Sequence, residues 1–169
     1  PSTAGMAIPG RMKLGFLPDV ALRPGALAVM SKSGTLAYEL CWRLSERRVG
    51  QSIWVGVGGD PVTGTRFAGL LPLLAKHDAA KAVLVLGEIG GSEEEDLAAQ
   101  ITALRFQKPV HVLLAGGSAP EGVTMGHAGA MVDGTRGTLV SKTTALRAAG
   151  TTVYASMDAL TVGVVKQMR

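Results

Sequence analysis

His127 stands in the run Gly126-His127-Ala128-Gly129-Ala130, where almost no side-chain bulk shields its imidazole. Glycines at Gly126 and Gly129 open backbone conformations closed to other residues and let a second molecule approach closely. A neutral imidazole nitrogen attacks phosphorus or carbon and leaves again readily, so such a histidine is a candidate nucleophile and group carrier. Two further loops offer matching chemistry. Glu88, in Gly87-Glu88-Ile89-Gly90-Gly91, is a carboxylate that orients an imidazole or caps the following helix, with Gly90 and Gly91 shaping the turn. Ser31-Lys32-Ser33-Gly34-Thr35 follows an apolar run and opens a helical stretch. Its hydroxyls, its lysine and the free N–H groups of a helix start make an anion site, or Ser33 simply caps the helix.

Other chemistries fit less well. His77 follows a helix end and His111 lies inside a strand run, neither with glycine neighbours. The three histidines and Cys41 show no metal-ligand spacing, so no metal site is expected. Neither a P-loop nor a G-x-S-x-G elbow is present. Gly58-Gly59-Asp60-Pro61 is turn chemistry first, although it could bring Asp60 to the same rim.

These loops need a scaffold. The 169 residues suffice for one domain with a sizeable core, and 47% hydrophobic with 18% charged residues describes an ordinary globular chain. The net charge of +4 is mild and scattered, which favours anionic ligands without the basic stripe of a nucleic-acid binder. No apolar run reaches the ~20 residues of a membrane span, no signal peptide is visible, and one cysteine gives no sign of an oxidising compartment. A cytoplasmic protein is expected.

Residues 1–24, with four prolines and several glycines, read as an extended arm or linker entering the domain, whose Ile8, Leu14, Phe16 and Leu17 could cover a sheet edge. From residue 25 a regular alternation begins. Apolar runs at 26–30, 52–57, 81–86, 109–115 and 151–155 alternate with helical stretches at 34–48, 67–76, from 93, at 138–149 and from 158. The near-continuous Val/Leu runs suit strands buried on both faces. The expectation is an α/β, flavodoxin-like, doubly wound five-stranded parallel sheet of order 2-1-3-4-5 in a three-layer αβα domain over 25–169. Ligands of such folds bind beyond the carboxyl ends of the strands where strand order reverses, which gathers the loops at 31–35 and 87–91 with the His127 loop one strand over.

Ser31-Lys32-Ser33-Gly34-Thr35-Leu36, Gly58-Gly59-Asp60-Pro61, Gly87-Glu88-Ile89-Gly90-Gly91 and Gly126-His127-Ala128-Gly129-Ala130 occur in the order and spacing of one family. The chain resembles, over nearly its whole length, the C-terminal ligase domain of succinyl-CoA synthetase alpha subunits, a domain shared with ATP citrate lyase and nucleoside-diphosphate-forming acyl-CoA synthetases. The resemblance implies a flavodoxin-like domain in which His127 is transiently phosphorylated, Glu88 steadies it, and Ser33, Gly34 and Thr35 hold the phosphate.

It also implies an ATP-grasp beta subunit or domain that binds ATP or GTP with Mg²⁺, and a CoA-binding Rossmann domain preceding residue 1. CoA and nucleotide would be held mostly by those parts, with nothing tightly bound by this chain. The complete enzyme would pass phosphate from nucleotide to a carboxylic acid before CoA forms the thioester, in the cytoplasm or, in a eukaryote, the mitochondrial matrix. The fragment by itself is expected to be inactive. Pro1-Ser2-Thr3-Ala4-Gly5 stands where the succinate enzymes usually show Pro-Asn-Cys-Pro-Gly, which leaves the acid open. The alternative is a noncatalytic module using the same crevice for phosphate or a nucleotide. Flavin binding is disfavoured by the 4% aromatic content.

Overall fold

The computed structural model describes residues 3–116, 127 and 136–169. The predicted alternation forms a sheet, with β3 (Pro24–Ser31), β4 (Gln51–Gly56), β5 (Ala82–Glu88), β6 (Val110–Ala115) and β7 (Thr152–Tyr154) mutually parallel. Between them run α1 (Gly34–Glu46), α2 (Phe67–Ala75), α3 (Glu93–Ala103) and α4 (Leu139–Ala148), and α5 (Met157–Met168) follows β7.

Among the described residues the sheet has seven strands, not five. The segment expected to be an extended arm folds into a hairpin, β1 (Gly5–Ile8) and β2 (Met12–Gly15), and the order is β2-β1-β4-β3-β5-β6-β7. β1 pairs antiparallel with β4 through Met6↔Val55 and Ala7↔Trp54, giving the outermost parallel strand a partner for its ladder. Backbone pairing, rather than a row of apolar side chains, covers that edge. Leu17 is buried, but Leu14 and Phe16 are exposed. The glycines that made this segment look like a loop are what the hairpin requires. Gly5 and Gly15 face each other at its base with φ of 97° and 125°, and a Cβ on either would strike the opposite backbone.

Period-two alternation on the central strands divides the core into two. Leu27, Val29, Leu84 and Leu86 point to one face and pack with Leu40 and Leu44 of α1 and Leu160 and Val164 of α5. Ala28, Met30, Val83 and Val85 point to the other and meet Phe67 and Leu71 of α2, Leu97 and Ile101 of α3 and Leu146 of α4. The layers follow from this pattern, because a strand apolar at every position must be covered twice. Ser33, Thr138 and Ser156 cap α1, α4 and α5 by accepting from Leu36, Ser141 and Ala159 N–H groups.

Parallel pairing places the carboxyl ends of β3 to β7 on one rim. Ser31 lies beside Gly56 and Leu86, and Glu88 lies beside Ala115. The chain leaves β3 for β4 on one side and returns from β4 to β5 on the other, so strand order reverses between β3 and β5. Lys32 follows the end of one of these strands and Glu88 ends the other.

His111 on β6 is buried, with Nδ1 2.9 Å from the Tyr154 hydroxyl and, among the described residues, no partner for Nε2. Burial lowers its pKa below the ordinary histidine value. The unfolded chain therefore takes up the proton first, and stability falls as pH drops through the unfolded value of about 6.5 toward the lower folded one. In His111→Asn, thermal unfolding from about pH 7.5 to about pH 5.5 should show a smaller loss of Tm than in the parent; an equal loss would remove His111 as the cause.

Candidate functional site

The strand rim between β3 and β5 carries a cavity of about 330 Å³ lined by Lys32, Gly59, Asp60, Arg66, Glu88 and Gly91, among others. Glu88 ends a strand buried along its whole length, so its side chain leaves the sheet where the ladder stops. Its Oε2 lies 2.6 Å from His127 Nδ1. An ionised carboxylate only accepts, so Nδ1 carries the hydrogen and Nε2 of the neutral ring presents a lone pair. His127 is partly exposed while Glu88 is buried, so an enclosed anion holds a reachable imidazole.

Space for the ring comes from Gly59, where a Cβ would overlap the imidazole. The other oxygen of Glu88, Oε1, is buried without a hydrogen-bond partner among the described residues and faces Lys32 Nζ at 3.7 Å. Lys32 is itself buried and lies 3.3 Å from Glu94 Oε1. Glu94, fully buried in the first turn of α3, accepts from the Glu88 backbone N–H at 3.0 Å and pairs through Oε2 with the fully buried Lys142 of α4. Lys142 also donates to the carbonyls of Glu88 at 2.7 Å and Gly90 at 2.6 Å. Burial pushes the Lys142 ammonium below the usual lysine range, against the pull of the Glu94 carboxylate.

The remaining sequence candidates fall around this centre. Ser33 caps α1, with Oγ accepting from Leu36 N–H at 3.2 Å, and Ser31 Oγ holds the Ser33 backbone from both sides. Gly34 and Thr35 contribute the first-turn N–H groups, which have no partner within the helix. Gly90 and Gly91 adopt φ of 84° and 58° in the turn after Glu88, and Gly90 N–H donates to the Gly137 carbonyl. Gly126 and Gly129 lie outside the described residues. Where the chain re-enters at 136, Glu95 Oε1 accepts from Gly137 N–H and the Ser141 hydroxyl, and Arg136 pairs with Asp96.

The structure thus joins His127 to Glu88 and sets Lys32, just before the α1 start, on the same carboxylate. Asp60 lines the adjoining cavity. His77 and His111 lie in neither the cavity lining nor the Glu88 contacts.

Sequence reading missed Glu94 and Lys142. Helical spacing held the signal, since Glu94 shares a face with the buried Leu97, Ala98 and Ile101, and Lys142 lies four residues before the buried Leu146. Among the described residues no group of three or more His, Cys, Asp or Glu could hold a metal ion, and no helix is long and apolar enough to cross a membrane. A partly exposed imidazole on a buried carboxylate lies beside a buried cation that precedes a helix amino end.

A family model described as CoA-ligase matches residues 30–152. The chain is 44% identical over 169 residues to the ADP-forming succinate–CoA ligase subunit alpha 1 of Archaeoglobus fulgidus, covering 100% of this chain and 56% of that one. It is 43% identical over 152 residues to the ADP-forming sulfoacetate–CoA ligase subunit SauD of Bilophila wadsworthia, covering 88% and 52%. It spans about half the length of these relatives. Among solved structures, a mutant ATP citrate lyase of Methanosaeta concilii in complex with (3S)-citryl-CoA matches 99% of the chain and 29% of its own, at 27% identity and a TM-score of 0.83. The matched region runs from the end of β3 through α4 and contains the crevice and the Glu88–His127 pair, and the chain belongs to the CoA-ligase family.

Proposed function

We propose that this chain is the phosphohistidine-carrying part of a nucleoside-diphosphate-forming acid–CoA ligase. The observation that carries the reading is the 2.6 Å contact between Glu88 Oε2 and His127 Nδ1, which leaves Nε2 as the attacking nitrogen. Nε2 attacks the terminal phosphorus of a nucleoside triphosphate presented by an ATP-grasp partner, and the bond to the departing diphosphate breaks. As positive charge develops on the imidazole, the buried Glu88 carboxylate stabilises it through Nδ1–H.

In the second step a substrate carboxylate oxygen attacks the phosphorus, the N–P bond breaks, and the electron pair returns to Nε2. The acyl phosphate then yields the thioester when CoA displaces phosphate. Stepwise delivery is needed because a carboxylate is a poor acylating agent. The α1 start, with the N–H groups of Gly34 and Thr35, the Ser33 loop and the neighbouring Lys32, is suited to hold the migrating phosphoryl oxygens.

Nucleotide, Mg²⁺ and most of CoA are assigned to the beta partner and to a Rossmann domain preceding residue 1. Residues 1–24 would connect that domain to this one. Relatives that act on succinate and on sulfoacetate share the same region at nearly equal identity, so this half of the protein does not single out the acid. The fragment by itself would make no thioester.

The test is covalent labelling of the full protein, assembled with its nucleotide-binding partner, by ATP carrying label on the terminal phosphate. Label should be stable in base, lost in acid, and absent in His127→Ala; nucleotide binding with no covalent label would favour a noncatalytic binding module instead. Glu88→Gln should leave folding intact and slow labelling by roughly ten- to a hundredfold, the scale of losing an orienting group; an unchanged rate would remove Glu88 from the role given to it. In Gly59→Ala the new methyl displaces the imidazole from Glu88, so labelling should fall about tenfold or more while thermal stability changes little. Full-rate labelling in that variant would mean the ring reacts from elsewhere.

A further inference from the structure

The orientation of His127 depends on Glu88, and something must hold Glu88 in turn. The β5–β6 register ends at Glu88↔Ala115, with the Ile89 N–H still donating to the Ala115 carbonyl, and the chain then enters a turn of two glycines at positive φ. Lys142 reaches this point from α4. Its three N–H bonds are all used, on the carbonyls of Glu88 and Gly90 and on Glu94 Oε2. It therefore clamps both sides of Ile89. Glu94 completes the arrangement, because its Oε1 accepts from the Glu88 N–H and faces Lys32 at 3.3 Å, closer than Lys32 comes to Glu88 itself. Gly87 leaves room for this carboxylate, since a Cβ there would lie 2.5 Å from Glu94 Oε1.

Stability alone is a poor reason for such a cluster. Exchanging a buried ion pair for neutral side chains of similar shape is often neutral or stabilising, whereas breaking one partner of it is costly. What the pair does supply is a fixed position for three groups of one residue, the N–H, carbonyl and carboxylate of Glu88.

We propose that Glu94 and Lys142 are positioning residues that act through Glu88. Together they lock its backbone and share Lys32 with its carboxylate, so that Oε2 stays aimed at His127 Nδ1. The inference rests on the phosphohistidine reading of the site.

The test uses the full protein with its nucleotide-binding partner and the double substitution Glu94→Gln/Lys142→Met, which removes both charges and keeps similar shapes. Two readouts are taken: the rate at which His127 takes label from ATP, and the ¹⁵N shifts of the unphosphorylated His127 ring, which report the Nδ1–H bond to Glu88. The expected result is a folded protein whose thermal stability equals or exceeds the parent's. Labelling should be slower on the order of 10- to 100-fold, with nucleotide affinity unchanged and with Nδ1 and Nε2 shifted toward a mixture of tautomers.

Parent-like labelling together with parent-like shifts would overturn the proposal. If the double variant does not fold, Glu94→Asp serves, because it keeps the charge of the pair while shortening its reach to the Glu88 N–H and to Lys142. A parent protein that takes no label would refute the phosphohistidine reading, and the ring shifts would still decide whether the pair positions Glu88.

Discussion

A carboxylate held out of water, with a single imidazole as its hydrogen-bonded outlet, is the constraint around which this molecule is arranged. Glu88 has one oxygen on His127 and the other facing an ammonium at ion-pair distance. A charge so enclosed needs compensation, and the fold supplies two buried lysines, shared with a second buried glutamate. The two positive and two negative side chains balance formally. That balance lets an anion remain in the interior, where its pull on a neighbouring proton is strongest.

The doubly wound sheet makes such an arrangement reachable from distant parts of the chain. Lys32 follows β3, Glu88 ends β5, Glu94 opens α3, and Lys142 sits one turn into α4. Parallel strands bring the first two to one rim, and the helix packing order brings the others beneath it. The helices α1, α4 and α5 begin with conventional side-chain caps. The buried polar cluster sits in the first turns of helices and the last residues of strands, where backbone groups are unpaired and polar side chains find partners.

Much of this could be read in advance because the signals were local. Unbroken Val/Leu runs announced buried strands, and glycines flanking Glu88 and His127 marked loops with chemistry in them. The structure sets those two side chains in contact. The hairpin went unread because prolines and glycines are loop residues on average, whereas here Gly5 and Gly15 permit two backbones to approach. Lys142 went unread for a related reason. In α4 the apolar Val140 is exposed and the lysine is fully buried, the reverse of the usual amphipathic order, so only the tertiary partners explain the assignment. Glu94 was hidden in a run of four acidic residues that reads as dipole compensation.

The hairpin also bears on how the chain avoids self-association. A parallel sheet ends in strands with a row of unsatisfied amides and carbonyls, which invites templated growth into fibrils. On one side β1 occupies that row and transfers the open border to β2, a strand of only four residues bearing Lys13, which pairs with Asp19 at 2.8 Å. On the other side the border is β7, just three residues long. Both margins are too brief to nucleate a cross-β stack readily. A chain whose interior is so rich in valine and leucine thereby keeps its most adhesive segments, β5 and β6, sealed in the middle.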